Sequence, residues 1–205
     1  MDASTLLYFL GASVALTVAP GPDNLFVLTQ GIACGRKQAI VTALGMCSGI
    51  SVHTVAAAFG ISALFYSSAA AFHAVKYAGA AYLLYLAWKT IREEAAVLGA
   101  ADERPAAALF RRGFLMNVLN PKVAMFFLAF LPQFVTPDTQ HFPLRMLLLG
   151  FIFMAQAVII FCLIGYFSGG IGSFLRRRPG IAKYFGWLTA GVFASLGLKL
   201  ALAER

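Results

Sequence analysis

The chain has 205 residues, of which 60% are hydrophobic and only 12% are charged. A soluble domain of this length has no use for so much apolar surface, so the composition excludes an ordinary soluble protein and indicates several membrane spans. The formal net charge of +8 does not indicate a nucleic-acid partner, because the basic residues lie in short segments between apolar runs and form no basic domain.

Apolar runs between the charge clusters predict six transmembrane helices. They cover residues 5–30, 38–66, 69–91, 113–135, 143–169 and 183–203. Each run reaches the length of about 20 residues that a helix needs to cross a bilayer. The predicted fold is therefore an all-α polytopic membrane protein. The first apolar run has no basic segment before it and no small-residue cleavage site, so we expect it to remain as a span.

The first predicted helix is interrupted by Pro20, Gly21 and Pro22, which are followed at once by Asp23 and Asn24. Within a bilayer, irregular backbone is tolerated only where it is buried in protein or lines a cavity. Asp23 is also the one acidic residue inside a predicted span. An ionisable residue at that depth is costly and indicates a functional site.

The fourth predicted helix carries a second break at Asn120, Pro121 and Lys122, and Asn117 shares a helix face with Asn120. We interpret the two breaks as the walls of one polar cavity for a zwitterion. Asp23 would take an ammonium group or a coupling proton, and Lys122 would take a carboxylate. Two structural alternatives stay open: an ion pair between Asp23 and Lys122, and a role for Asp23 as the N-cap of the restarted helix.

Two further polar residues are candidates for the same cavity. His53 lies deep in the second predicted span and suits either a proton relay or a packing hydrogen bond. Gln133 near the end of the fourth span suits either the cavity lining or an interhelical hydrogen bond. The pair Gly45-x-x-x-Gly49 predicts a close helix crossing, and the same spacing suits a homo-oligomer interface.

Basic residues concentrate in the first, third and fifth loops, which places those loops in the cytoplasm and both termini outside. The hydrophilic loop 92–112 divides a single transmembrane domain, residues 1–205, into the helix groups 1–91 and 113–205. The two groups then have opposite orientations, and each has a broken first helix. This arrangement predicts a 3+3 inverted repeat.

The sequence offers little support for catalytic or metal chemistry. Cys34, Cys47 and Cys162 are far apart and have no spacing typical of a metal site or a disulfide framework. No phosphate-binding glycine loop is present, no second carboxylate joins Asp23 at membrane depth, and no second histidine joins His53 there. We expect no cofactor and no enzymatic activity. A metal-cation exporter and a membrane-embedded enzyme are the alternatives to an exporter of organic zwitterions.

Several motifs resemble those of the LysE/RhtB amino-acid exporters. Residues 21–24 with 31–37 look like the family's first signature, and residues 110–134, which include Asn117, Asn120-Pro121-Lys122 and Gln133, look like its second. The resemblance covers nearly the whole chain. It implies a multi-pass protein of the bacterial inner membrane that exports amino acids or derivatives such as threonine, homoserine or homoserine lactone. It further implies proton antiport, so that the partners are the substrate, protons and the lipid bilayer.

Overall fold

The structure is a computed structural model that describes residues 2–19, 21–61, 69–92, 105–135, 141–177 and 179–202. The described chain is helical, in agreement with the predicted fold class. Its α-helices are α1 (Ala3–Val18), α2 (Pro22–Ala33), α3 (Arg36–Val55), α4 (Ala69–Arg92), α5 (Ala106–Val118), α6 (Pro121–Met125), α7 (Phe142–Tyr166), α8 (Ser168–Arg177) and α9 (Pro179–Leu202). A π-helical turn (Ala56–Ile61) extends α3, and a π turn (Phe126–Phe130) and a 3₁₀ turn (Leu131–Phe134) extend α6.

Two unbroken helices of the described chain are long and apolar enough to cross a membrane: α3 continued to Gly60, and α7, each of 25 residues. Two bent pairs meet the same test when each pair is taken as one span. The axes of α1 and α2 differ by 56°, and those of α5 and the segment Pro121–Phe134 differ by 47°. The bends fall at the two predicted breaks. Helices α4 and α9, with 24 residues each, occupy the third and sixth predicted spans.

Two helices begin earlier than the predicted spans that they belong to. Helix α5 begins at Ala106, ahead of the predicted start at 113, so the end of the predicted loop 92–112 is helical. Hydropathy placed the start of the span after the charged residues Arg111 and Arg112. Both are exposed, whereas Leu109, Gly113 and Asn117 are buried at helical spacing and hold the first turns against the protein. Helix α9 begins at Pro179, ahead of the predicted start of the final span at 183. Residues 62–66 of the second predicted span lie outside the described residues.

Helix α8 was not predicted, because its first residues, Ser168, Gly169 and Gly170, are poor helix formers. The chain turns at Phe167, directly after α7, and continues as a ten-residue helix. Ser168 is fully buried and Phe174 is 52% exposed, so the helix has one face against the protein and another outside. Packing of an amphipathic helix has outweighed local propensity here.

The helix packing fits the predicted inverted repeat. Helix α3 packs extensively on α7, and α4 packs extensively on α9. These are the second and third spans of the two predicted halves, so each packs on its own predicted equivalent. Phe126, Phe127 and Phe153 form an aromatic cluster, with ring centroids 5.1–5.3 Å apart between Phe153 and its two neighbours.

Helices α3 and α5 cross at very short distance, as the glycine spacing predicted. A Cβ atom at Gly45 would overlap the backbone of Phe110, and one at Gly113 would lie 3.1 Å from the backbone nitrogen of Met46. Gly49, one turn further along α3, faces Asn117, whose Oδ1 would be 2.9 Å from a Cβ at that position. This crossing therefore fixes the depth at which α5 ends and the second break begins.

Candidate functional site

The two breaks have the same local construction. At the first, Gly21 is the N-cap of α2, Pro22 is its first residue and Asp23 its second. At the second, Asn120 caps α6, whose first two residues are Pro121 and Lys122. Proline is favoured at the first position of a helix, where no amide hydrogen is needed. Asp23 and Lys122 thus occupy equivalent positions in the two halves. The alternative that Asp23 is the N-cap was wrong, because Gly21 has that position.

Lys122 extends from the second break to the first. Its side chain is buried, and Nζ donates hydrogen bonds to the carbonyl oxygens of Leu16 and Ala19, each at 3.3 Å. These carbonyls belong to the end of α1, where the helix dipole is negative and helix-internal donors are missing. Gly21 permits the approach, since a Cβ there would lie 3.2 Å from Nζ. Lys122 in the second half of the chain therefore supplies hydrogen-bond donors to the carbonyl oxygens at the end of α1 in the first half.

Asp23 is placed in the reciprocal way, against the end of α5. The side chains of Asn117 and Asn120 lie beside its carboxyl group, and Lys122 attracts it electrostatically. Asp23 is only 3% exposed, yet its Oδ1 makes no hydrogen bond within the described structure. The alternative of an ion pair between Asp23 and Lys122 is not realised as a direct contact, because the hydrogen bonds of Nζ go to the α1 carbonyls instead.

The two asparagines have distinct structural tasks. Asn120 caps α6, as its Oδ1 accepts the backbone N–H of Lys122 at 3.0 Å. The carbonyl oxygen of Asn117 lies 3.0 Å from Nε2 of His53, which must carry the proton because a carbonyl can only accept. His53 thus holds the end of α5 in place. The outer atoms of both amides, Oδ1 of Asn117 and Nδ2 of Asn120, are buried without a hydrogen-bond partner.

A short polar chain extends the site along α1 and joins the predicted Asn24 to Ser13 and Thr17, which we did not assign to the site from the sequence. Nε2 of Gln156 donates to Oγ1 of Thr17 at 2.9 Å, and Oγ1 donates to the carbonyl of Ser13. Asn24 donates through Nδ2 to the carbonyl of Thr17 at 2.9 Å. The available signal was the pair Ser13 and Thr17, which are one helical turn apart and face inward. Three more polar atoms remain unpartnered here: Oγ of Ser13, Oδ1 of Asn24 and Oε1 of Gln156.

Asp23, Lys122, Asn117 and Thr17 line one small cavity of about 20 Å³. That volume holds about one water molecule. The remaining lining is apolar and consists of Leu16, Ile50, Val123, Phe153 and Phe161. The protein is therefore closed around its buried acid and base, with an apolar wall beside them.

Nine of the eleven predicted site residues line the small cavity or support it. Asp23, Asn117 and Lys122 line the cavity, whereas Gly21, Pro22, Asn24, Asn120 and Pro121 form the breaks around it and His53 supports Asn117. Gln133 is not among the lining residues, and its amide donates weakly to Ala129 at 3.5 Å within its own segment. Pro20 lies outside the described residues.

Comparisons with known proteins cover nearly the whole chain. Residues 14–204 match the family model of the LysE type translocator. The chain is 32% identical to an uncharacterized membrane protein of Vibrio cholerae serotype O1, with 100% of both chains covered. It is 32% identical to the leucine efflux protein of Klebsiella pneumoniae, over 97% of this chain and 95% of the relative. It is 30% identical to the leucine efflux protein of an Enterobacter strain, over 95% and 93%.

No solved structure matches the chain. The family match extends from α1 to α9 and includes both broken helices with the acid and the base that they carry. The chain belongs to the LysE type translocator family.

Proposed function

We propose that this protein exports amino acids across a bacterial inner membrane in exchange for protons, and that the substrate binds between the two broken helices. The proposal depends chiefly on the unpartnered Oδ1 of Asp23 in a cavity shared with Lys122. A buried polar atom without a partner costs about 1–3 kcal/mol. A site that keeps several such atoms together is suited to a ligand that supplies their missing hydrogen-bond partners.

A zwitterion supplies the missing partners. Its ammonium group has three donors for the acceptor oxygens of Asp23 and Asn117, both of which lack a donor. Its carboxylate suits Nδ2 of Asn120 and the third N–H of Lys122, whose other two bonds go to the α1 carbonyls. The positive ends of the restarted helices favour the same anionic group.

The same carboxylate provides a route to proton coupling. Asp23 can hold either a proton or a substrate ammonium, but not both at once. Competition for one carboxylate makes release of the substrate on one side coincide with uptake of a proton there. The cavity of about 20 Å³ is too small for an amino acid, so binding requires the halves to separate at the breaks.

The apolar wall favours an aliphatic substrate. Five of the nine lining residues are Leu, Ile, Val or Phe, which leaves a hydroxyl or charged side chain without a partner on that wall. Two relatives are named leucine efflux proteins. We therefore place leucine-like amino acids ahead of threonine, homoserine and homoserine lactone as substrates.

A metal-cation exporter receives less support. Across the ranges that the structure describes, no three His, Cys, Asp or Glu side chains come together in a metal-binding group. The unpartnered atoms near Asp23 include an amide nitrogen, Nδ2 of Asn120. A donor of that kind suits a carboxylate and opposes a cation.

The decisive test uses the purified chain in proteoliposomes loaded with labelled leucine, threonine, homoserine, homoserine lactone or lysine. Acidification of the outer buffer should accelerate the efflux of leucine most strongly and that of lysine least. Protein-free liposomes control for leakage, which matters most for the lactone. If none of the compounds leaves faster than from protein-free liposomes, the proposed function is wrong.

A further inference from the structure

A second, larger cavity approaches the transport site from the far end of α2. It has a volume of about 670 Å³ and is lined by the end of α2, the start of α3, the end of α7 and the start of α8. We call it the vestibule. Its wall includes Gly31, which follows Asp23 by eight residues, or about 12 Å along the axis of α2. The loops at this end are predicted to lie in the cytoplasm, so the vestibule extends from that side toward the buried acid.

Small residues on three helices close the end of the vestibule that points to the site. Gly31 on α2, Ala39 on α3 and Gly165 on α7 lie at one level, since a Cβ at either glycine would be 3.0–3.2 Å from the Cβ of Ala39. None of the three carries a side chain larger than a methyl group. This level is therefore closed by the close approach of helix backbones, and it opens only if one helix moves away from the other two.

One layer of side chains separates that level from Asp23. Four residues, or about 6 Å, deeper in the membrane the same three helices carry Val27, Ala43 and Phe161, and all three are buried. Another four residues along α2 lead to Asp23. Phe161 has the largest side chain of the layer, and it alone of the three lines the small cavity around Asp23. Its ring is therefore the main barrier between the vestibule and the site.

The opposite route from the small cavity is closed by several rings in succession, which we call the aromatic plug. Phe153 lines the cavity and lies 5.3 Å from Phe126, measured between ring centroids. The contacts continue from Phe126 to Phe130 at 5.0 Å, from Phe130 to Phe134 at 5.2 Å, and from Phe134 to Phe9 at 5.2 Å. All five rings are buried. If one of them were removed, four would still fill this route.

Helix α2 is the element that can open the single layer. It is a separate helix whose axis differs from that of α1 by 56°, and its N-cap, Gly21, makes no side-chain capping bond. Glycine has wide backbone freedom, so the first break is suited to act as a hinge. Rotation of α2 about that break would move Val27 away from the layer and Gly31 away from Ala39. The vestibule and the small cavity would then be continuous.

We propose that the substrate enters through the vestibule and that Phe161 is the gating residue, released when α2 rotates about the first break. This inference rests on the proposed export of amino acids and adds the direction of loading. An exporter takes up its substrate from the cytoplasm, which is the side where a single layer closes the site. The aromatic plug keeps the outer route closed while the vestibule is open.

Phe161 and Phe153 offer a matched pair of variants, because both are buried phenylalanines of α7 that line the small cavity. Val123→Cys places a reporter thiol in the same cavity, in a protein whose three native cysteines are replaced. An impermeant thiol reagent is added to intact cells or to inside-out vesicles, and the rate of labelling is measured. Phe161→Ala should raise the rate in inside-out vesicles at least about tenfold, because loss of the buried ring destabilises the closed layer. Phe153→Ala should leave the rate unchanged from either side.

Two further variants support the comparison. Phe161→Leu keeps most of the apolar volume and should raise the rate in the same direction but less, which guards against a loss of fold in the alanine variant. Gly169→Cys lines the vestibule at a position where a Cβ meets no atom within 4 Å. It should be labelled in inside-out vesicles and not in intact cells.

Four outcomes would overturn the proposal. They are faster labelling of the Phe161→Ala reporter from intact cells, an equal gain with Phe153→Ala, no gain with either folded Phe161 variant, and labelling of Gly169→Cys from intact cells. None of these measurements requires transport. The labelling pattern can therefore fail while efflux is observed, or hold while efflux is absent, so a failed gate and a failed export function are told apart.

Discussion

The Nζ of Lys122 lies 3.3 Å from the carbonyl oxygen of Ala19. Lys122, at the second break, therefore donates a hydrogen bond to the end of α1, the helix that precedes the first break. Asp23 faces the asparagines that end α5. Asp23, the second residue of α2, therefore lies against the end of α5, and Lys122, the second residue of α6, lies against the end of α1. A substrate carboxylate bound to the third N–H of Lys122 would compete with the α1 carbonyls for the same ammonium group. The proposed binding would therefore be linked to the geometry of the first break.

Lys122→Gln tests this link. The glutamine amide cannot supply the positive charge that the end of α1 attracts, so the free energy of unfolding should fall by about 2 kcal/mol. Efflux of amino acids should weaken much more than efflux of their esters or lactones, which lack the carboxylate. Thermal unfolding in detergent and efflux assays with paired substrates would measure both effects. Equal losses for acids and esters would show that Lys122 only supports the structure.

Asp23→Asn tests the proton coupling. The amide nearly preserves shape but cannot exchange a proton, so pH-gradient-driven efflux should cease while exchange of labelled for unlabelled substrate stays measurable. Asp2→Asn is the matched control, because Asp2 is an exposed N-cap of α1 that accepts the N–H of Thr5 at 2.9 Å. Hydrogen bonds from Thr5 hold the pKa of Asp2 below its usual range, and asparagine caps a helix equally well.

The control variant should transport as wild type does at every pH tested. An Asp23→Asn protein whose efflux still follows the pH gradient would exclude Asp23 as the coupling residue. Loss of both gradient-driven efflux and exchange, with the fold intact, would instead assign Asp23 to substrate binding without a separate role in coupling.

His53 allows its two predicted roles to be separated. Its Nε2 donates to the carbonyl of Asn117, a bond that glutamine can replace and leucine cannot. If His53 only holds α5, His53→Gln should keep most of the gradient-driven efflux and His53→Leu should lower both stability and efflux. If His53 relays protons, both variants should lose gradient-driven efflux and keep exchange. Measurement of the two activities in the same proteoliposomes decides between them.

The sequence predicts the breaks well because their causes are local. Proline and glycine disrupt a helix wherever they occur, so Pro22 and Pro121 mark both bends without any knowledge of the packing. The same reasoning identifies Asp23 and Lys122 as the charged residues of the two breaks. The family resemblance stated from those motifs was correct, since the family model matches residues 14–204.

The partners of these residues are not local and were not predicted. Lys122 and Ala19 are more than 100 residues apart, and their contact depends on how the two halves cross. The sequence gives no reason to choose the α1 carbonyls over Asp23 as the acceptors of Lys122. The role of Thr17 was missed for the same reason, because a polar residue in a span becomes informative only when its partner, here Gln156, is known.

The predicted orientation leads to a labelling experiment. In a variant without Cys34, Cys47 and Cys162, a cysteine at Ser4 should react with an impermeant thiol reagent added to intact cells, since both termini are predicted to lie outside. A cysteine at Lys37 should react only after permeabilisation. Ser4 and Lys37 are both exposed, so access to the reagent depends on the side of the membrane. The reverse pattern would contradict the orientation.

Because α3 and α5 cross at short distance, replacing a glycine at the crossing should be far more damaging than replacing a glycine elsewhere in the helices. A Cβ at Gly45 would overlap the backbone of Phe110, which cannot rotate away as a side chain can. Gly45→Ala should therefore push α5 outward and lower the free energy of unfolding by about 1–3 kcal/mol. Because Asn117 lies in the last turn of α5, next to the second break, the displacement should also disturb that break and reduce efflux. Thermal unfolding and leucine efflux would report the two effects.

Gly191 is the matched control, because it lies within α9 and a Cβ there meets no atom within 4 Å. Gly191→Ala should leave efflux unchanged and raise the stability slightly, by about 0.5–1 kcal/mol, through the better helix propensity of alanine. If Gly45→Ala behaves as Gly191→Ala does, then α3 and α5 are not in close contact and the depth of the second break is set elsewhere. If Gly45→Ala lowers efflux while the control does not, the crossing positions the transport site.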